Sequence, residues 1–222
     1  MATGTADSLP AAQPGLRLAG LRLRWTVAFV AGELVGFIPP AVTGAVLGSL
    51  GVGDVALVAG LVLAGVLEGA AIGAAQAWVL RGVLPALPFG HWVLATALGA
   101  ALAWLAGMGG VALVQAVGPA AWVVVGPAMV VGLFAMGTLQ WLVLRRHVPR
   151  SGRWAPVTSG AWLLGVMIPV AALSLAPDSW PPAALMVLGV LAAVAMGATV
   201  GLLTGGTLVR LLRRAADPTL AR

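Results

Sequence analysis

Six long apolar stretches follow one another along the 222-residue chain, and short loops separate them. A helix of about 20 apolar residues crosses ~30 Å of hydrocarbon, and it satisfies its own backbone hydrogen bonds, which a lone strand in lipid does not. The sequence therefore predicts an all-α, polytopic bundle of six transmembrane helices in contact with the lipid bilayer. We place the spans at residues 25–50, 55–80, 92–117, 121–144, 154–175 and 183–209.

The composition excludes most other classes of protein. Hydrophobic residues make up 61% of the chain and charged residues 8%, and a soluble domain of this length could not bury so much apolar surface. The formal net charge of +6 lies at the edges of the spans, where anionic lipid headgroups balance it, so we expect no nucleic-acid partner. Since the chain has no cysteine, we expect neither a disulfide nor a thiolate metal site.

All 12 cationic side chains are arginines, and they lie on one side of the predicted ladder of spans. The alternate loops, around residues 49–54, 115–120 and 175–182, hold none. Because cytoplasmic loops retain cationic residues, the sequence predicts a multi-pass protein of the cell (cytoplasmic) membrane, with cytoplasmic tails at residues 1–24 and 215–222. The arginines are Arg17, Arg22, Arg24, Arg81, Arg145, Arg146, Arg150, Arg153, Arg210, Arg213, Arg214 and Arg222.

The even-numbered spans repeat one pattern at a spacing of 64 residues without gaps. Each repeat unit is a helical hairpin that starts and ends on the same side of the membrane, so the repeats are parallel. We expect three hairpins, at residues 25–90, 91–153 and 154–214, around a pseudo-threefold axis along the membrane normal. The repeated positions are Gly73, Gly137 and Gly201, then Gln76, Gln140 and Thr204, then Leu80, Leu144 and Leu208.

The hairpin ends read G-x-x-Q-x-x-V-L-R from Gly73 and from Gly137, and G-x-x-T-G-x-x-L from Gly201. This pattern resembles a loose group of uncharacterised small multi-pass bacterial membrane proteins with repeated hairpin ends of this kind. The chain departs from the pattern at Gly82, where a second arginine would stand. The resemblance implies a bacterial inner-membrane topology and implies no biochemical activity.

Small residues recur at every fourth position within the spans, as at Gly65, Gly69 and Gly73 of span 2. A four-residue step keeps one helix face flat, so that two backbones can approach closely. We expect small-xxx-small packing within the bundle. The alternative is that the small residues leave room for a lipid or pigment between helices.

Tryptophans gather near the ends of the spans. An indole ring is favoured at the membrane interface, where its N–H meets headgroups and its ring meets acyl chains. We interpret the tryptophans at the predicted cytoplasmic ends as an aromatic belt, and we expect the deeper Trp104 and Trp162 to pack between helices. The predicted belt consists of Trp25, Trp78, Trp92, Trp141 and Trp154 at the cytoplasmic ends, with Trp122 and Trp180 at the opposite interface.

Pro39 and Pro40 lie near the middle of span 1. A proline inside a helix removes a backbone donor and clashes with the preceding turn. The pair therefore predicts a helix break that frees carbonyl groups at membrane depth, which is tolerated where protein or a water-filled cavity supplies partners. Shaping of the helix and a role in gating or binding both remain open.

Glu33 and Glu68 are the acidic residues that lie well inside spans. Glu33 lies roughly 12 Å along the helix from the start of span 1, and Glu68 lies near the middle of span 2 with no arginine at its depth. A carboxylate in such a position is costly unless it is protonated, paired or hydrated. The two acids either form an intramembrane polar site, or Glu68 is a protonated acid bonded to a carbonyl freed near Pro39 and Pro40.

Gln76, Gln140 and Thr204 lie about one turn inside the predicted cytoplasmic boundary. Related by the repeat, they form either a polar ring around the pseudo-axis or hydrogen bonds that join helices. Because Glu68 lies two turns before Gln76 on the same ridge of span 2, both side chains are expected on one interior seam.

No pattern of catalytic residues appears inside the spans. His91 and His147 lie in or beside loops, without a second histidine at helical spacing, and no Ser/His/Asp set occurs within a span. The glycine pairs follow no strand, so they predict no phosphate-binding loop. We therefore predict that the chain is not an enzyme and holds no metal and no cofactor.

Two functions of different class fit the sequence. The first is a non-catalytic membrane subunit or scaffold that packs with a membrane-protein partner or in an oligomer, or that holds a lipid or pigment. The alternative is a small transporter or channel for an ion, a proton or a solute, which uses Glu68 and Glu33. The transporter requires a water-accessible path to Glu68, whereas the scaffold requires Glu68 sealed among helices and a stripe of small residues facing outward. The short loops favour the scaffold because they leave little chain for a gate.

Overall fold

A computed structural model describes Leu18 and residues 20–177 and 179–216. Most of the predicted N-terminal tail and residues 217–222 of the predicted C-terminal tail therefore lie outside the described residues. Within the described residues the chain is helical, and six helical segments are long and apolar enough to cross a membrane. These segments are span 1 (Leu21–Ser49), span 2 (Asp54–Arg81), span 3 (Phe89–Val117), span 4 (Pro119–Leu144), span 5 (Ser151–Ser174) and span 6 (Pro182–Ala216).

The six spans confirm the prediction of a multi-pass all-α membrane protein, and their bounds differ from the predicted bounds by a few residues. Span 6 continues seven residues beyond its predicted end, and span 1 begins at Leu21, inside the predicted tail. Leu21 is fully buried, which explains why the helix starts there rather than at Trp25. The helices are α1 (Leu21–Gly36), α2 (Ile38–Ser49), α3 (Asp54–Arg81), α4 (Phe89–Trp104), α5 (Gly110–Val117), α6 (Trp122–Leu144), α7 (Trp154–Ser174) and α8 (Pro182–Ala216).

Two spans contain local irregularities at membrane depth. Span 1 is interrupted at Phe37, between α1 and α2, and Pro39 and Pro40 occupy the first turn of α2. Proline is tolerated in a first turn because the backbone donors there have no partner within the helix. Span 3 contains a π-helical turn, Leu105–Gly109, between α4 and α5. Pro127 and Pro169 lie inside α6 and α7.

The spans close into a ring. Each span packs against the next one along the chain, and span 6 packs back against span 1. The arginines among the described residues lie at or beyond the same ends of the spans, and we call that side of the bundle the arginine side. The largest buried apolar cluster lies near this side and contains the repeated leucines Leu80, Leu144 and Leu208, all fully buried.

Spans 1 and 6 pack more tightly near the arginine side than near the opposite side. A Cβ atom on Gly201 would lie 2.9 Å from the Cα of Thr26, and one on Gly205 would lie 2.8 Å from the ring of Trp25. On the same span, a Cβ atom on Gly189 would meet no other atom within 4 Å. Because close approach of backbones needs small residues at the contact, spans 1 and 6 touch near the arginine side and leave space between them in the opposite half.

The outer surface of the bundle is apolar. Large side chains such as Val55, Val123 and Leu175 are more than four-fifths exposed. An exposed apolar surface of this extent is unfavourable in water and favourable in hydrocarbon. The six spans therefore contact the lipid bilayer along their outer faces.

Candidate functional site

Three tryptophans, Trp25, Trp92 and Trp154, fill the centre of the bundle near the arginine side. All three are fully buried. The ring centroids of Trp25 and Trp92 lie 6.3 Å apart, and Trp154 lies 5.8 Å from each of the other two. The rings meet edge to face, an arrangement that places the positive edge of one ring against the negative face of the next. We call these residues the tryptophan cluster.

Each indole of the tryptophan cluster donates a hydrogen bond to one of the three polar residues of the repeat. Trp25 Nε1 donates to Thr204 Oγ1 at 2.9 Å. Trp92 Nε1 donates to Gln76 Oε1 at 3.0 Å, and Trp154 Nε1 donates to Gln140 Oε1 at 3.1 Å. In each case the tryptophan belongs to an odd-numbered span and its acceptor to the preceding span around the ring. A buried indole needs such an acceptor, since a lone N–H in an apolar interior is costly.

The two glutamines are also joined to each other. Gln140 Nε2 donates to Gln76 Oε1 at 3.0 Å and to Thr96 Oγ1 at 3.0 Å. Thr204 Oγ1 donates within its own helix to the carbonyl of Val200 at 2.7 Å. The structure therefore uses Gln76, Gln140 and Thr204 in bonds between tightly packed helices at the tryptophan cluster.

The prediction that Trp25, Trp92 and Trp154 belong to an aromatic belt at the membrane interface is wrong, because these rings have no exposed surface. The belt interpretation relied on their position near the ends of spans, and position along a helix does not say which way a side chain points. Trp78 is 70% exposed and does lie on the outer surface.

Glu68 is bonded to a tryptophan from the neighbouring span. Trp104 Nε1 donates to Glu68 Oε2 at 2.6 Å, and the Glu68 side chain is 6% exposed. The alternative that Glu68 bonds to a carbonyl freed near Pro39 and Pro40 receives no support, since the partner found is an indole. Ile72 and Gln76, on the same ridge as Glu68, are buried as well.

Glu33 is fully buried, and neither of its carboxyl oxygens has a hydrogen-bond partner. The backbone of Glu68 passes close to the same part of span 1, because a Cβ atom on Gly36 would lie 2.9 Å from the Glu68 carbonyl oxygen. A buried polar atom without a partner is uncommon in proteins and calls for a ligand, a water or a functional role.

Glu33 and Glu68 both line a cavity of about 690 Å³ in the half of the bundle away from the arginine side. Parts of spans 1, 2, 3, 5 and 6 form its wall, which is mainly apolar and includes Trp104 and Trp162. The π-helical turn contributes Gly107 and Met108 to this wall. A smaller cavity of about 120 Å³ lies beside it and shares Glu68, Trp104 and Trp162.

The cavity has the dimensions of a ligand site. Small-molecule pockets have volumes of about 300–1,000 Å³, apolar walls and a few convergent polar groups. Here the polar groups are the two carboxyls and the indole N–H of Trp162, which is buried without a partner. Among the described residues no group of three or more histidine, cysteine or acidic side chains is arranged to hold a metal ion. The arrangement is suited to binding an organic molecule.

The sequence predicted the two acids inside the spans and did not predict the cavity that both of them line. It also assigned Trp104 and Trp162 to packing, whereas Trp104 bonds to Glu68 and both rings form part of the cavity wall. One signal for the tryptophan cluster was present in the sequence, because Trp25, Trp92 and Trp154 open the three odd-numbered spans. A tryptophan repeated in step with a buried glutamine indicates a shared interior contact rather than an interface.

No family model matches the chain, and no curated protein or solved structure is significantly similar to it.

Proposed function

We propose that this chain is a non-catalytic integral membrane protein that holds a small apolar or amphipathic molecule, such as a lipid or pigment, inside the bilayer. The observation that carries the proposal is the cavity of about 690 Å³ bordered by Glu33 and Glu68. A protein that acts only as a scaffold was expected to have a stripe of small residues on its outer surface. Instead, Gly32, Gly36 and Gly69 lie against backbone atoms of neighbouring spans, so these small residues serve packing within the chain.

The proposal is tested by filling the cavity. Gly189 lies on the cavity wall, and a Cβ atom there meets nothing within 4 Å, so Gly189→Leu adds volume to the cavity without a clash at the backbone. Gly160→Leu is the matched control, because Gly160 is an exposed helical glycine with equally open surroundings outside the cavity.

Protein in lipid nanodiscs is exposed to an uncharged photoactivatable long-chain alcohol, and the labelled positions are mapped by mass spectrometry. We expect saturable labelling at Met108 and Met196 on the cavity wall, at least about tenfold weaker in Gly189→Leu and unchanged in Gly160→Leu. Labelling spread evenly over the lipid-facing surface, with no loss in Gly189→Leu, would reject the proposal.

The second candidate is a transporter or channel that passes a proton, an ion or a solute by way of Glu33 and Glu68. It is favoured by the position of both acids beside a cavity, with the tightly packed tryptophan cluster between that cavity and the arginine side. Passage would require the tryptophan cluster to separate during transport. Flux into liposomes that is present in the natural chain and absent in Glu68→Gln would support this function, and absence of flux would remove it.

We further propose that the three hairpins are related by a pseudo-threefold axis and that the arginine side faces the cytoplasm. The first proposal is supported by the cyclic pattern in which each indole of the tryptophan cluster bonds to the preceding hairpin. The second is supported by the retention of arginine at cytoplasmic ends of membrane spans. The cavity would then lie in the half of the bundle nearest the outside of the cell.

A further inference from the structure

We infer that the cavity takes a lipophilic organic cation, whose charged centre lies beside Glu33 and Glu68 and whose apolar groups contact the cavity wall. This inference rests on the proposed binding function and adds the chemical class of the ligand. It follows from three observations about the cavity: the presence of two acidic groups with no basic group, the absence of a hydrogen-bond partner for the Glu33 carboxyl group, and the apolar and aromatic character of the rest of the wall.

The first observation is that acidic groups line the cavity and no basic group accompanies them. Two carboxyl groups border the cavity, and among the described residues that line it there is no arginine or histidine. The chain has no lysine that could reach the cavity from elsewhere, since all of its 12 cationic residues are arginines. A cationic ligand would supply the charge that the protein itself does not place there.

The second observation is the unsatisfied carboxyl group of Glu33. Its side chain is fully buried, lines the cavity and has both oxygens without a hydrogen-bond partner. Glu68, by contrast, already accepts a bond from Trp104. A buried carboxylate without a partner is strongly unfavourable, so a positive centre placed beside Glu33 removes a cost as well as adding an attraction.

The third observation is the apolar and aromatic wall. Trp104 and Trp162 contribute indole rings to the wall, and Trp104 lies beside the Glu68 carboxyl group. The face of an indole ring attracts a desolvated organic cation. The two carboxyl groups are few ligands for Ca²⁺, which takes about six to eight oxygen atoms. An ammonium or phosphonium centre surrounded by hydrocarbon groups needs no such set of ligands. The combination therefore favours an organic cation with apolar substituents over Ca²⁺.

The test uses three ligands of the same shape and different charge: tetraphenylphosphonium, tetraphenylsilane and tetraphenylborate. The full chain in lipid nanodiscs is titrated with radiolabelled tetraphenylphosphonium, and binding to empty nanodiscs is subtracted. We expect saturable binding of the cation at least about tenfold tighter than binding of the neutral silane, measured by competition. We expect the anionic borate not to compete.

Substitutions of the acids identify the groups responsible. Glu33→Gln and Glu68→Gln each keep the shape of the side chain, and glutamine retains an oxygen that can accept the bond from Trp104. We expect the double variant to lose at least about tenfold in affinity for the cation and to keep its affinity for the silane. Asp54→Asn is the matched control, because it removes an exposed carboxyl group outside the cavity and should leave both affinities unchanged.

The outcomes distinguish a failure of the inference from a failure of the proposed function. Equal binding of the phosphonium and the silane overturns the inference and leaves the proposed function standing. Saturable binding of none of the three ligands overturns the inference, and the labelling of the cavity wall by the long-chain alcohol then decides the proposed function separately. Cation binding that survives in Glu33→Gln and in the double variant also overturns the inference. If the double variant does not fold, Glu33→Gln alone and the ligand series with the natural chain still decide the question.

Discussion

At the scale of single residues, some buried polar groups of the bundle have hydrogen-bond partners within the protein and others do not. Near the arginine side, each indole of the tryptophan cluster is matched to an amide or hydroxyl oxygen, whereas the buried hydroxyl groups of Ser151 and Thr158 on the same side have no partner. Beside the cavity, the Glu33 carboxyl group remains without a partner. Satisfied groups stabilise a packed interior, whereas an unsatisfied group beside open space is available to a ligand.

The hydrogen bonds of the tryptophan cluster should contribute measurably to stability. Trp154→Phe keeps an aromatic ring in the tryptophan cluster and removes the donor to Gln140 Oε1. We expect a loss of about 1–3 kcal/mol, the cost of leaving a buried acceptor unsatisfied. Trp78→Phe, on the lipid-exposed surface, should change stability by less than about 0.5 kcal/mol. Equilibrium unfolding in mixed micelles measures both values, and equal effects of the two substitutions would contradict this account.

The sequence predicted residue types better than it predicted side-chain directions. It located Glu33 and Glu68 inside spans because acids are rare in hydrocarbon, and both proved to be buried. It placed Trp25, Trp92 and Trp154 at the correct ends of their spans and on the wrong faces. Hydropathy reports depth along a helix, whereas the direction of a side chain depends on which neighbours the helix meets, and a single sequence does not contain that information directly.

At the scale of helices, the close contacts are made at glycines that face neighbouring spans. Span 2 is an example, because Gly69 faces span 3 and a Cβ atom there would lie 2.8 Å from the Cα of Ala97. The prediction of small-residue packing agrees with this geometry. The sequence could not say which glycines make contacts, since Gly160 and Gly126 have the same residue type and meet nothing within 4 Å.

Alanine substitution should change stability in opposite directions at a glycine that contacts a neighbouring span and at a glycine with open surroundings. Gly69→Ala forces a methyl group against the backbone of span 3 and should cost about 1–3 kcal/mol through overpacking. Gly160→Ala has open space and should gain about 0.5–1 kcal/mol, because alanine favours the helix more than glycine does. Unfolding midpoints of the two variants in the same micelles provide the comparison. A stabilising effect of Gly69→Ala would show that spans 2 and 3 do not pack as described.

At the scale of the whole molecule, composition determined the class of protein and the number of spans, because six apolar stretches have few alternatives to six membrane helices. It did not determine how the ring of helices closes. The contact of span 6 with span 1 and the cavity in one half of the bundle both arise from packing between residues far apart in the chain, such as Gly201 and Thr26. The resemblance to small bacterial membrane proteins stays a prediction.

The orientation of the bundle determines which side of the membrane is nearer to the cavity. Because the chain has no native cysteine, single cysteines can report the sidedness of the loops without background labelling. Ser49→Cys and Ser179→Cys lie on the side opposite the arginines, whereas Gly82→Cys and Gly152→Cys lie on the arginine side, and all four positions are exposed. None of these substitutions enters a tightly packed contact.

We expect a membrane-impermeant maleimide to label Ser49→Cys and Ser179→Cys in intact cells, and to label Gly82→Cys and Gly152→Cys only after the membrane is permeabilised. The physical reason is that arginine-rich loops are retained in the cytoplasm during insertion. The reverse pattern would place the cavity in the cytoplasmic half, so that its ligand would enter from inside the cell. Labelling of all four positions from outside would contradict the six-span topology itself, because antiparallel spans of this length must put alternate loops on opposite sides of the bilayer.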